Sequence, residues 1–157
     1  MKRLVLLAIL ILGLIGTQIQ ATDIIKPRVL VSTDIGGTDP DDNQSMAHLL
    51  MYTDCLDLEG IVSSPSYGSG NREEILRMID LYEKDLPKLS EHIKGLMSPA
   101  ELRAITKQGR KGAAPYRGFL TPTEGSRWIV QCARRQDERP LWISAVSYTH
   151  LRAHETK

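Results

Sequence analysis

V-L-V-S-T-D-I-G-G-T-D-P-D-D-N, residues 29–43, opens on a run of apolar and β-branched residues and then breaks at Gly36-Gly37. The run reads as a short buried strand. The break places Asp34, Asp39, Asp41 and Asp42 within nine positions, just ahead of an apolar-periodic helix. Carboxylates crowded at the end of a strand repel one another unless positive charge sits among them. A hard divalent cation answers that need, because Ca²⁺ and Mg²⁺ take oxygen ligands and accept several carboxylates in one shell. A structural reading stands beside this one. Asp39 suits an N-cap, Pro40 the first helical position, and Asp41 and Asp42 the first turn, where acidic groups favour the positive end of the helix dipole. That accounts for three carboxylates but not for Asp34, nor for the Gly pair that folds the backbone tightly behind it.

Several short motifs compete for this stretch. D-I-G-G-T is similar to the phosphate-binding start of actin-like sugar kinases, but there a second strand follows the Gly pair, whereas D-P-D-D opens a helix. The haloacid dehalogenase pattern D-x-D-x-T would need an Asp at Gly36. An EF-hand counted from Asp34 or Asp39 lacks the Gly at its sixth position and the Glu at its twelfth. No G-x-x-x-x-G-K-[ST] phosphate loop is present.

The stretch resembles the opening of the nucleoside hydrolase superfamily: a strand, an Asp, a Gly, and an adjacent Asp pair leading into a helix. Asp34, Gly36 and Asp41-Asp42 match those elements. The form S-T-D-I-G-G-T-D-P-D-D is closest to an exported, divergent branch described as nucleoside hydrolase-like and in places as cellulose-binding. The similarity continues through L-D-L-E-G-I-V-S-S-P-S-Y-G-S-G-N and covers residues 27 to about 144. It implies an α/β, parallel-sheet, Rossmann-like nucleoside hydrolase fold. It also implies metal-dependent hydrolysis of an N-glycosidic or related glycosidic bond, with Ca²⁺ as cofactor and a nucleoside or carbohydrate as substrate. Carried onto this chain, Asp34 is the catalytic base and a metal ligand, Asp41 and Asp42 are ligands, and Asp39 is either a ligand or the helix cap. Two departures bear on this. Ser32 stands where the classical enzymes carry a further Asp, and the spacing from Asp34 to the Asp pair is longer. Both leave room for a non-catalytic carbohydrate-binding or cellulose-binding protein on the same fold.

At 157 residues, with 41% hydrophobic and 25% charged residues, the chain suits one domain with one core. A net charge of +1 argues against nucleic-acid binding by bulk electrostatics, and the basic group Lys107, Arg110, Lys111 and Arg117 reads as a solvated loop. Residues 1–21 read as a signal peptide: a basic start, an apolar run from Leu4 to Ile15, then a polar stretch ending in Ala21. The apolar run is short for a bilayer span, so export without stable membrane insertion is expected. Cys55 and Cys132 read as two buried free thiols, although an oxidising compartment would permit their pairing.

The first helix is expected over Pro40 to about Thr53, followed by a strand from Leu56 to Ser63. This β-α-β order implies a parallel sheet. Ligands of open α/β sheets bind beside the carboxyl ends of the strands, so the loop from Ser63 to Gly70 should lie beside Asp34. In it Ser64, Tyr67 and Asn71 are candidate substrate contacts, Tyr67 as a stacking surface. Asn71 is also a natural N-cap with Glu74 at the capping-box position. A second helix is expected from Arg72 to about Leu86, ended by Pro87. Further starts read at Ser98-Pro99-Ala100-Glu101 and Thr121-Pro122-Thr123-Glu124, the latter helix burying Trp128, Ile129, Cys132 and Ala133. Between them G-R-K-G-A-A-P-Y-R-G is long enough for a lid. A third strand is expected from Arg139, and the fold is expected to be truncated just after it begins. Residues 146–156, V-S-Y-T-H-L-R-A-H-E-T, resemble the in-frame translation of a sequencing adapter, so residues 145–157 are expected to lie outside the domain. His150 and His154 are accordingly not candidate ligands.

Overall fold

The computed structural model describes residues 25–36, 40–64, 70–112 and 121–145. Four strands form one sheet: β1 (Arg28–Thr33), β2 (Asp57–Ser63), β3 (Thr106–Gln108) and β4 (Leu141–Ala145). The helices between them are α1 (Asp41–Met51), α2 (Arg72–His92), α3 (Pro99–Ile105) and α4 (Glu124–Arg134). All strand pairs are parallel and the spatial order is β3-β2-β1-β4. The α/β fold with a parallel sheet is therefore as expected, but the strand from residue 141 is the fourth. β3 escapes a sequence reading because Thr106-Lys107-Gln108 is too short and too polar to show a strand pattern.

The strand order dictates where the helices go. The chain steps from β1 to β2 to β3 in one direction, then returns past β1 to lay down β4. Right-handed crossovers put helices on opposite faces when the direction reverses. Accordingly α1, α2 and α3 pack on one face through Met46, Leu50, Ile75, Ile79, Tyr82 and Leu102, against Val31, Leu58 and Ile61. On the other face, Cys132, Trp128 and Ile129 of α4 meet Leu30 and Val62. Adjacent residues of β1 and β2 serve different faces, which is why both strands read as near-continuous apolar runs. Ile35, Ile61, Ile75, Ile79 and Leu102 are fully buried, each contributing roughly 1.5–3 kcal/mol of transfer free energy.

Several boundaries differ from expectation. α2 runs through Pro87 to His92, because Leu86 and Leu89 on either side of the proline still pack on the core, and that burial outweighs one lost backbone hydrogen bond. α1 starts at Asp41 with Pro40 in the cap position, while Asp39 lies outside the described residues. α4 starts at Glu124, capped by a reciprocal Thr123–Ser126 box rather than by Thr121 and Glu124. The Ser98–Glu101 capping box forms as read. On α4 Ala133 is exposed, since it falls off the stripe that carries Cys132. Both cysteines are free, but only Cys132 is buried; Cys55 is exposed in the turn after α1. Lys107 is not a loop residue: it lies in β3, 3.6 Å from Glu124 and 4.5 Å above the Trp128 ring, a cation–π contact. Among the described residues no helix is long and apolar enough to cross a membrane.

At the amino ends of the strands a charged network ties β1, β2 and β4 together. Arg28 is 3% exposed and donates Nε to Glu59 Oε1 at 2.5 Å and Nη2 to Glu59 Oε2 at 3.1 Å. It also reaches the carbonyls of Cys132 and Arg139, at 2.8 and 3.0 Å. Arg139 in turn holds Asp57 and Asp137, at 2.8 and 2.7 Å. Hydrogen bonds from Arg139 keep the Asp137 carboxyl well below the usual carboxylate range. A carboxyl depressed in the folded state stabilises above its unfolded pKa, about 3.9, and that stabilisation is lost as pH falls through the lower folded value. The urea midpoint is therefore expected to drop less between pH 7 and pH 3 in Asp137→Asn than in the parent chain, and equal drops would refute this. Glu59→Gln is expected to lower the pH 7 midpoint, whereas Glu83→Gln, which touches only the exposed Arg103 pair, should leave it nearly unchanged.

Candidate functional site

The reversal of strand order sets β2 on one side of β1 and β4 on the other, so the carboxyl end of β1 is a topological switch point. The connection leaving β1 runs toward β2, and the ends of β1 and β4 stand beside each other, the usual ligand position in open α/β sheets. Asp34 is the first residue past that end and is half-buried. Ile35 beneath it is fully buried, and its N–H donates to Thr33 Oγ1 at 3.2 Å. Gly36 follows at φ +96°, where a Cβ would stand 2.9 Å from Asn71 Cβ. Glycine is thus required twice over, for its dihedral and for the close approach of the turn to the start of α2.

The end of β2 is stitched to β1 by hydroxyls. The Ser64 N–H donates to the Thr33 carbonyl at 2.7 Å, and the Ser32 and Ser64 hydroxyls lie 2.9 Å apart. The structure therefore brings Ser64, a candidate substrate contact, beside the strand end that carries Asp34. Asn71 stands across the turn and is the N-cap of α2, its Oδ1 accepting from Glu73 N–H at 3.1 Å. Glu74 does not close a capping box. Its carboxylate instead receives Arg77 and, at 2.5 Å, Asn43 Nδ2 of α1, and these bonds, Arg77 first, hold it below the ordinary carboxylate range. The Asn43–Glu74 bond braces the first turn of α1, with half-buried Asp42 and exposed Asp41, against α2.

Asp34, Asp41 and Asp42 thus come from the two segments that meet at the switch point, while Asp39 and Tyr67 lie outside the described residues. Among the described residues no group of three His, Cys, Asp or Glu side chains is gathered closely enough to hold a metal ion. In kind, the all-oxygen donor set suits a hard cation such as Ca²⁺. Most of the expected lid, residues 113–118, also lies outside the described residues. Beside its first residues a depression of about 560 Å³ opens at the end of β3, lined by Gln108, Gly109, Lys111, Thr123 and Glu124.

Gln108 is the residue that sequence reading missed. It ends the short β3, opposite Ser63 in register, and its carboxamide bonds Ser63, Gly70 and Arg72. Next to it, the Gly109 N–H donates to the Ser63 carbonyl at 2.9 Å, and a Cβ at Gly109 would fall 2.1 Å from that oxygen. The only signal in the sequence is a polar residue before a glycine, which is common to many loops.

A family model described as the cellulose-binding Sde182, nucleoside hydrolase-like domain matches residues 28–151. A solved structure of a nucleoside hydrolase-related hypothetical protein from Saccharophagus degradans, described as associated with carbohydrate metabolism, superposes with a TM-score of 0.66. It is 33% identical over 75% of this chain, which spans 29% of that protein's length. No curated protein matches the chain.

The two roles of Asn71 separate by substitution. Asn71→Ala is expected to cost about 1 kcal/mol in chemical denaturation through loss of the cap, whereas Asn71→Asp, which still accepts from Glu73 N–H, should retain stability. Equal losses in the two variants would show that the side chain does more for the fold than cap α2.

Proposed function

Because the chain belongs to the cellulose-binding Sde182, nucleoside hydrolase-like domain family, we propose that the carboxyl-end face of its sheet binds the sugar ring of a carbohydrate ligand. The observation that carries this reading is the placement of Asp34 at the topological switch point, beside the Ser32–Ser64 hydroxyl pair. Sugar hydroxyls both donate and accept, and so do serine hydroxyls and the Asn71 carboxamide, while a carboxylate accepts from two sugar hydroxyls at once. For Ca²⁺ the candidate ligands are Asp34, Asp41 and Asp42, with Asp39 either a fourth or the helix cap; the described carboxylates form no ready-made shell, so binding would have to draw them together. When bound the ion would neutralise the crowded carboxylates and polarise ligand oxygens. Residues 1–21 we read as an export signal, consistent with a polysaccharide ligand outside the cell.

A second reading follows from the same Asp34. A carboxylate at the switch point is placed to take a proton from water as that water attacks an anomeric carbon; the glycosidic C–N bond then breaks and the base leaves with the electron pair. We put binding without turnover first because Ser32, standing where the classical enzymes carry a further Asp, pairs its hydroxyl with Ser64 and suits ground-state hydrogen bonding to a sugar.

Ca²⁺ at about a hundredfold excess over its dissociation constant should stabilise the chain by about 2.7 kcal/mol, and Asp34→Asn should abolish that shift. Retention on cellulose without product supports the binding protein. Ca²⁺-dependent release of free base or ribose from nucleosides, lost in Asp34→Asn, would instead establish the hydrolase. A chain with no Ca²⁺ shift, no retention and no turnover would sink both readings.

A further inference from the structure

We propose that Gln108 is the positioning residue of this site, fixing in place the two backbone segments that carry Ser64 and Asn71. Its Nε2 donates to Ser63 Oγ at 2.9 Å and to the Gly70 and Gly109 carbonyls, each at 3.3 Å. Its Oε1 accepts from the Arg72 N–H at 3.2 Å. Ser63 immediately precedes Ser64 and is fully buried, and Gly70 and Arg72 flank Asn71. Each candidate contact therefore has a direct neighbour bonded to one carboxamide. The orientation of that carboxamide is fixed by chemistry: the Gly70 carbonyl only accepts and the Arg72 N–H only donates, so a flipped amide would lose both. The Arg72 N–H is one of the orphan donors in the first turn of α2, and Gln108 is what satisfies it. The strand register extends the arrangement, since Gln108 lies opposite Ser63 and Ser63 opposite Thr33, the residue before Asp34. One side chain on β3 thereby sets the spacing of groups from β2 and α2 relative to the end of β1.

What the positioned groups bind rests on the saccharide reading above; that Gln108 positions them does not. Two variants separate the possibilities. Gln108→Glu keeps an acceptor for Arg72 but turns an oxygen on the Gly70 carbonyl, and Gln108→Leu removes donor and acceptor together. Exchange of the Arg72 amide, whose N–H Gln108 accepts, is expected to accelerate by about tenfold or more in Gln108→Leu and to stay near the parent in Gln108→Glu, while Leu30 and Val31 amides in β1 stay as in the parent in both. Affinity for cellotetraose, measured by calorimetry on the same full chain, should fall about tenfold in both variants, with the Ca²⁺ shift that depends on Asp34 unchanged. Unaltered exchange at Arg72 in Gln108→Leu overturns the proposal, as does cellotetraose affinity within about twofold of the parent in both variants. If the parent chain itself does not bind cellotetraose, the saccharide reading fails, and the exchange comparison alone decides the part played by Gln108.

Discussion

Arg28 carries its guanidinium into the interior at the first position of β1, and Glu59 meets it with both carboxylate oxygens. A buried charge is tolerated only when paired and fully hydrogen-bonded, so this contact constrains everything around it. Arg28 also bonds the carbonyls of Cys132, near the end of α4, and of Arg139, just before β4. One side chain thereby joins β1, β2, the end of α4 and the approach to β4. These bonds are satisfied together only when β4 lies beside β1, with Leu141 opposite Arg28, as observed. The pair thus specifies the strand order that creates the switch point, whatever its net contribution to stability.

In an all-parallel sheet the two ends of the strands are chemically distinct, and this chain assigns them different tasks. At the amino ends, Arg28, Arg135 and Arg139 are matched by Asp57, Glu59 and Asp137, and the charges are consumed by one another. At the carboxyl ends the Ser32–Ser64 hydroxyls, the Gln108 carboxamide and backbone amides fasten the strands, beside the Glu74–Asn43 and Lys107–Glu124 contacts of the helix starts. Asp34, Asp41 and Asp42 stand at this end of the sheet. The starts of α1 and α2 lie at this end as well, and their N–H groups supply positive potential toward it. The ion pairs at the amino end tie β1, β2 and the approach to β4 together, and the proposed ligand site lies at the opposite end.

How much of this was readable in the sequence depended on whether a residue's role was local. The strand 29–33, the Asn71 cap and the Ser98–Glu101 box are set by neighbours within four positions and are legible, as is the Gly36 turn through its dihedral, though not through its approach to Asn71. The resemblance to the nucleoside hydrolase superfamily rested on the same local pattern, and the family match bears it out. Pro87 misled because a local rule, that proline ends a helix, was overridden by the distant packing of Leu86 and Leu89 on the core. β3 and Gln108 were missed for the complementary reason. Thr106-Lys107-Gln108 has no pattern of its own and becomes a strand only because β2 offers it an edge, and the Gln108 partners lie up to 45 residues away in sequence. Lys107 likewise reads as one of a basic group until Trp128 and Glu124, from α4, stand over it.

The composition of the carboxyl end also bears on the choice between binding and turnover. Two serines 2.9 Å apart offer hydrogen bonds in either direction, which suits the hydroxyls of a sugar in its ground state. They bring no charge to an oxocarbenium-like transition state, where positive charge develops on the ring and only groups that respond to that charge accelerate the reaction. With Ser32 in place of a carboxylate, that work would fall on Asp34 and its acidic neighbours alone. In the proposed binding reading, recognition is shared among Ser64, Asn71 and Asp34, whereas in the proposed hydrolase catalysis depends on the exact placement of one carboxylate. The neutral hydroxyl pair fits the proposed binding reading, because its hydrogen bonds serve the ground-state sugar, while Asp34 and its acidic neighbours are the groups any turnover would have to use.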